Sequence, residues 1–89
     1  FSSGMEDCIM DDIIKRVNRI ISNQLEIDED KLSENTSLID DLAVDSIDTV
    51  ELIIAFEVEF DLEIPDEEAE KLRTLGDIYK YIYRKISER

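Results

Sequence analysis

The chain has 89 residues, a formal net charge of −14, no histidine and a single cysteine, Cys8. So short a chain makes one domain that buries about 60–65% of its extended-chain surface and has no room for a deep catalytic cleft. Its acidity opposes contact with nucleic-acid phosphates and anionic membranes and favours basic protein surfaces, while the missing histidine excludes serine-histidine triads and cysteine-histidine zinc sites.

With 43% hydrophobic residues, two glycines and one proline, the composition predicts a helical domain rather than a turn-rich sandwich or a disordered chain. Phe1-Ser2-Ser3-Gly4 ahead of Met5 has the look of a cloning remnant, which leaves residues 5–89 as a single domain. No run approaches the roughly 20 apolar residues of a membrane span and no signal-like segment precedes the fold, so a cytoplasmic protein that does not insert into membranes is expected.

Ile9, Ile13, Val17, Ile20 and Ile21 recur at three- and four-residue steps and predict a first amphipathic helix over about 7–24. Glu6, Asp7, Asp11 and Asp12 come early and Lys15, Arg16 and Arg19 later, an order that complements the helix dipole. Residues 26–45 read as a long connecting loop, with room for a short helical turn, pinned by Ile27, Leu32, Leu38, Ile39 and Leu42. Loops of that length in a compact domain are uncommon and often functional.

A second helix over about 46–60 carries two apolar stripes when each residue is advanced by about 100°. Leu52, Phe56 and Phe60, with Ile53 and Thr49 beside them, suit the core. Ile47, Val50, Ile54 and Val58 lie on nearly the opposite side, where Glu51 and Glu57 flank them, and part of that stripe is expected to face partners. The alternative is that surrounding helices bury both stripes.

Ile64-Pro65 breaks the chain before a short acidic helix over about 66–71, with Asp66 as its expected cap. Thr74-Leu75-Gly76-Asp77 has the form of a capping box and opens a last helix that presents Leu75, Ile78, Ile82 and Ile86 at helical spacing, with Tyr79, Tyr81 and Tyr83 as packing and rim residues. The expected architecture is therefore an all-α four-helix bundle with a long first loop and a short third helix.

The junction of long loop and second helix carries the chemistry. Asp45 has the chemistry of an N-cap, which puts Ser46 at the first helical position and Asp48 in the first turn. A primary hydroxyl there stands among unpaired backbone N–H groups at the positive end of the helix dipole, a setting that accommodates a phosphate ester; the plainer reading is that Ser46 merely helps to cap.

Asp45-Ser46-Ile47-Asp48-Thr49-Val50-Glu51-Leu52 resembles the Asp-Ser-Leu-Asp-Thr-Val-Glu-Leu signature of the acyl carrier proteins. Upstream, Arg16-Val17, Ile20-Ile21 and Gln24-Leu25 look like that family's first helix; downstream, Phe60 and the run from Glu63-Ile64-Pro65 to Lys71 look like its third-helix region, with no gap in spacing from about residue 12 to residue 85. Four positions depart from the common pattern: Ile47 replaces leucine, Ala43-Val44 stands for Gly-Ala, Val58 interrupts an acidic run, and Glu26 takes the place of a glycine after the first helix. The loop before Ser46 is thus made without glycine and is stiffer for it.

The resemblance implies that a phosphopantetheinyl transferase esterifies Ser46 with 4′-phosphopantetheine from coenzyme A, and that the arm's thiol carries acyl groups as thioesters. The protein itself is then no enzyme. Fatty acid biosynthesis is the expected setting; the alternatives are a specialised polyketide or modified-lipid pathway or, in a different class, an acidic helical interaction module. A monomer is expected, with Asp45, Ile47, Asp48, Val50, Glu51, Ile54 and Glu57 meeting basic patches on fatty acid synthesis enzymes, and with Leu38, Ile39, Phe56, Ile64, Leu72 and Ile78 near an acyl chain drawn between the helices.

Charge supports the docking reading, since residues 40–70 hold thirteen carboxylates while all ten basic residues lie outside them. Such a surface gains association rate and orientation from basic partners while still releasing them. A built metal site is not expected: in a calcium loop opened by Asp28 and Asp30, Leu32 takes a ligand position, Ser33 replaces the required glycine and Ile39 stands where the closing glutamate belongs.

Overall fold

A computed structural model describes the backbone of residues 2–88 and the side chains of residues 8–88. It contains helices α1 (Ser2–Leu25), α2 (Ser46–Phe60), α3 (Asp66–Ala69) and α4 (Leu75–Ser87), with a 3₁₀ turn at Glu29–Lys31. Among the described residues there is no strand, only an isolated antiparallel bridge between Ser37 and Thr74. The expected all-α architecture with a long first loop and a short third helix is what the chain adopts.

The core forms where α1 meets α2 and α4. Ile13, Val17 and Ile21 on α1, Leu52 and Phe56 on α2, and Ile78 and Ile82 on α4 are all but inaccessible and belong to one cluster. Full burial of such a side chain contributes about 1.5–3 kcal/mol. Ile9, one turn before this stripe, is exposed and Ile20 half-buried, so the core face of α1 is narrower than its apolar pattern. Arg16 adds a clamp from α1 to the end of α2: its Nη1 lies 3.5 Å from Glu59 Oε2 and its guanidinium 5.8 Å from the Phe60 ring centroid. At its half-exposed position that ion pair contributes at most about 1 kcal/mol.

Two expectations for α1 need correction. The helix starts at Ser2, not near residue 7, and so takes in residues set aside as a remnant; Phe1 lies outside the described residues, as do the side chains of Glu6 and Asp7. Once nucleated, a helix extends through residues that carry no strong stop signal, even across Gly4. With this earlier start no acidic residue falls in the first turn, and Lys15, Arg16 and Arg19 all lie ahead of the last turn, so most of the dipole complementarity is lost.

Helix ends follow local chemistry. Asp45 Oδ1 accepts the Asp48 N–H at 2.8 Å and caps α2. At α4, Thr74 Oγ1 accepts from the Asp77 N–H and Asp77 Oδ2 accepts from the Thr74 N–H, both at 3.3 Å, completing the expected capping box. Helix α3 departs from expectation, because its N-cap is Pro65 without a side-chain bond and Asp66 is already helical. α1 and α2 both end on left-handed residues that are not glycine, Glu26 (φ 55°) and Asp61 (φ 52°). The closing bonds Ile27 N–H to Ser22 O and Leu62 N–H to Glu57 O, each 3.2 Å, mark both as Schellman endings.

The long loop is fastened to the start of α4 by backbone hydrogen bonds from Leu38 N–H to Arg73 O (3.0 Å), Leu75 N–H to Thr36 O (3.1 Å) and Gly76 N–H to Glu34 O (2.9 Å). Gly76 is required by this approach, since a Cβ there would stand 2.8 Å from Glu34 O. Of the expected anchors Leu32 and Leu38 are buried and Ile27 and Leu42 half-buried, but Ile39 is 68% exposed. Its place is taken by Val44, 6% exposed, which hydrogen bonds through its N–H to Leu38 O at 2.9 Å. Ala43, at φ 52°, makes the turn between them in the left-handed region that glycine would enter without strain.

Candidate functional site

Val44 is the anchor that fixes the site. Its burial, followed by the Asp45 cap, leaves Ser46 as the first residue of α2 and exposed. The capping role belongs to Asp45 alone, for the Ser46 hydroxyl makes no hydrogen bond among the described residues. Thr49 Oγ1 turns back to Asp45 O at 2.8 Å and stiffens the same turn. Helical geometry leaves the N–H groups of Ser46 and Ile47 without an intrahelical acceptor. The site thus offers a free primary hydroxyl beside unpaired donors and the positive end of a helix dipole, which suits a phosphate ester.

Beside Ser46 opens a groove of about 1130 Å³ between α2, the long loop and α3. Leu38, Val44, Ile53, Ile64 and Leu72 supply apolar wall, and Ser46 and Asp45 stand at its margin. Of the residues expected near a cargo chain, Leu38, Ile39, Ile64 and Leu72 line the groove. Phe56 and Ile78 do not: both are completely buried in the core behind it. Val44, Ile53 and Ala69, which the sequence reading did not single out for this role, replace them in the wall.

The second apolar stripe of α2 is solvent-exposed, with Ile47 69%, Val50 55%, Ile54 53% and Val58 78% exposed, which excludes burial of both stripes; Val50 and Ile54 also line the groove. Asp45 and Glu51 are exposed on the same helix and Asp48 is half-buried. Glu57 differs from them. It is half-buried, and its Oε2 accepts the Ile64 N–H at 2.8 Å, so part of its carboxylate serves the fold. No three carboxylates among the described residues converge closely enough to hold a metal ion.

Residues 15–82 match the family described as "Phosphopantetheine attachment site", a span that contains the whole of this geometry. The acyl carrier protein of Caulobacter vibrioides (strain NA1000 / CB15N) is 51% identical over 78 residues, covering 88% of this chain and all of that protein. The acyl carrier protein of Phenylobacterium zucineum (strain HLK1) is 48% identical over 77 residues, covering 86% of this chain and 98% of that protein.

The chain belongs to the acyl carrier proteins.

An acyl carrier protein is a carrier and no catalyst. Its cofactor is phosphopantetheine. Family membership also implies dealings with a phosphopantetheinyl transferase and with enzymes that act on acyl chains. No helix among the described residues is long and apolar enough to cross a membrane.

Proposed function

We propose that Ser46 bears the phosphopantetheine arm and that the groove beside it shelters the acyl chain. The observation that carries this reading is the unpartnered, exposed Ser46 hydroxyl at the head of α2, on the rim of that groove. In the loading step the serine oxygen forms a bond to the phosphorus of coenzyme A that bears the pantetheine. The bond to the adenosine bisphosphate half breaks, and the serine proton passes to a base of the transferase. The arm supplies a thiol that this domain lacks near its groove, and acyl groups are held there as thioesters. Each methylene drawn from water into the groove contributes about 0.8 kcal/mol before the cost of parting the helices.

Partner enzymes dock, on this reading, on the outer face of α2. Ile47, Val50 and Ile54 offer the apolar contact, while Asp45, Asp48 and Glu51 attract a basic patch and Glu57 contributes from the margin. Fatty acid biosynthesis in the cytoplasm, with the carrier as a monomer, is the setting that fits the family and the concentrated acidic face. Intact-mass measurement after incubation with coenzyme A and a phosphopantetheinyl transferase tests the central assignment. One addition is expected, and none in Ser46→Ala; an addition that survives the substitution rejects Ser46.

A further inference from the structure

The two walls of the groove are held very differently. On the loop side, the backbone bonds of Leu38 to Arg73 and of Val44 to Leu38 fix the wall, and both side chains are buried. On the other side, α3 has four residues, none of them buried, and no side-chain cap. The Ile64 side chain just before it is buried in the core, and from α2 the Glu57 carboxylate reaches the same residue, its Oε2 accepting the Ile64 N–H at 2.8 Å.

The position of that bond matters. Ile64 is buried, so its N–H needs an acceptor within the protein, and a carboxylate makes a stronger one than a neutral group. The next residue is Pro65, whose ring fixes φ, and Pro65 is the N-cap of α3. Holding the Ile64 N–H therefore holds the start of α3 at a set distance from α2. Glu57, Ile64 and Pro65 all line the groove, so the bond ties two of its walls together.

We propose that Glu57 is a positioning residue for the cargo: by holding the Ile64 N–H it sets the spacing between α2 and α3 and hence the length of acyl chain that the groove admits. The inference rests on the groove's role given above. It also gives Glu57 a task separate from partner docking.

Glu57→Ala, Glu57→Gln and Glu57→Asp, each as the full phosphopantetheine-loaded chain, test it by two readouts. The first is amide hydrogen exchange at Ile64 without any acyl group. Exchange should speed up about tenfold or more in Glu57→Ala, stay near wild type in Glu57→Gln, which keeps an oxygen acceptor, and speed up in Glu57→Asp, one methylene too short to reach. The second is the melting temperature across a C4 to C14 acyl series. The length at which it stops rising should move up by at least two carbons in Glu57→Ala and Glu57→Asp and stay at the wild-type length in Glu57→Gln. Unchanged Ile64 exchange in Glu57→Ala overturns the proposal, as does a Glu57→Gln protein that behaves like Glu57→Ala. An identical plateau in all four proteins overturns it while leaving the groove's role intact. No length dependence even in wild type removes the groove's role, and the proposal with it.

Discussion

The two connections on either side of α2 are built on opposite plans. Residues 26–45 are long yet tightly held, with buried Leu32, Leu38 and Val44 and backbone bonds from Glu34 and Thr36 into the start of α4 and from Leu38 to Arg73 just before it. Residues 61–74 are shorter and contain a helix, but none of that helix is fully buried, and the segment is held by the buried Ile64, whose N–H is accepted by the Glu57 side chain of α2. Length and regular structure are poor guides to rigidity; what decides it is how many backbone groups find partners outside their own segment. The stiff connection presents Ser46, and the looser one borders the groove.

The harshest attack on this contrast is Gly76→Ala. Its Cβ would meet Glu34 O at 2.8 Å and break the hold on the long loop, so a loss of about 2–3 kcal/mol is expected in chemical denaturation, with slower modification of Ser46 by a transferase. Leu72→Ala strikes the other connection at a half-buried site and should cost only about 1–1.5 kcal/mol, with the modification rate unchanged. Equal costs for the two would break the comparison.

Tyr79 sharpens it from the core. Its hydroxyl donates to Asn18 Oδ1, and burial, with the charge of Glu34 on the long loop adding to it, raises its pKa above the usual 10.0. A raised folded-state value means that this contribution is intact below pH 10 and is lost as pH climbs past it. Tyr79→Phe should therefore cost about 1 kcal/mol at neutral pH and flatten the fall in stability above pH 10, as followed by denaturation across an alkaline series. The smallest effect expected is a gain: Ala43→Gly relieves the left-handed strain at φ 52° and should add about 0.5 kcal/mol to the unfolding free energy, after the added freedom of the unfolded chain is set against it.

Features that a few neighbouring residues decide were legible in the sequence. The Asp45 cap, the Thr74–Asp77 box and the Leu52, Phe56, Phe60 stripe each depend on spacings within one or two helical turns. The exposure of Ile39 and burial of Val44 were not, because the reversal between them depends on a left-handed alanine and on a bond to Arg73 from far along the chain. The start of α1 lies ahead of the apolar pattern that marks the helix, and α3 starts at Asp66 as expected but takes Pro65 as its cap and ends at Ala69, short of residue 71. At the site, the position of Ser46 followed from its neighbours, whereas the tie from Glu57 to Ile64 needed the folded backbone to bring a donor to an acidic side chain seven residues away.

If partners dock on the exposed stripe of α2, as proposed, it also sets a timescale. A helix of 15 residues is about 22 Å long, and one face of it offers a partner far less than the roughly 800 Å² per side of a long-lived complex. Ile47, Val50, Ile54 and Val58 form a single narrow stripe along that face. Contacts made through it should have brief residence times, with charge raising the rate of arrival and little holding the pair together afterwards. A carrier so built can visit a succession of enzymes and wait on none of them.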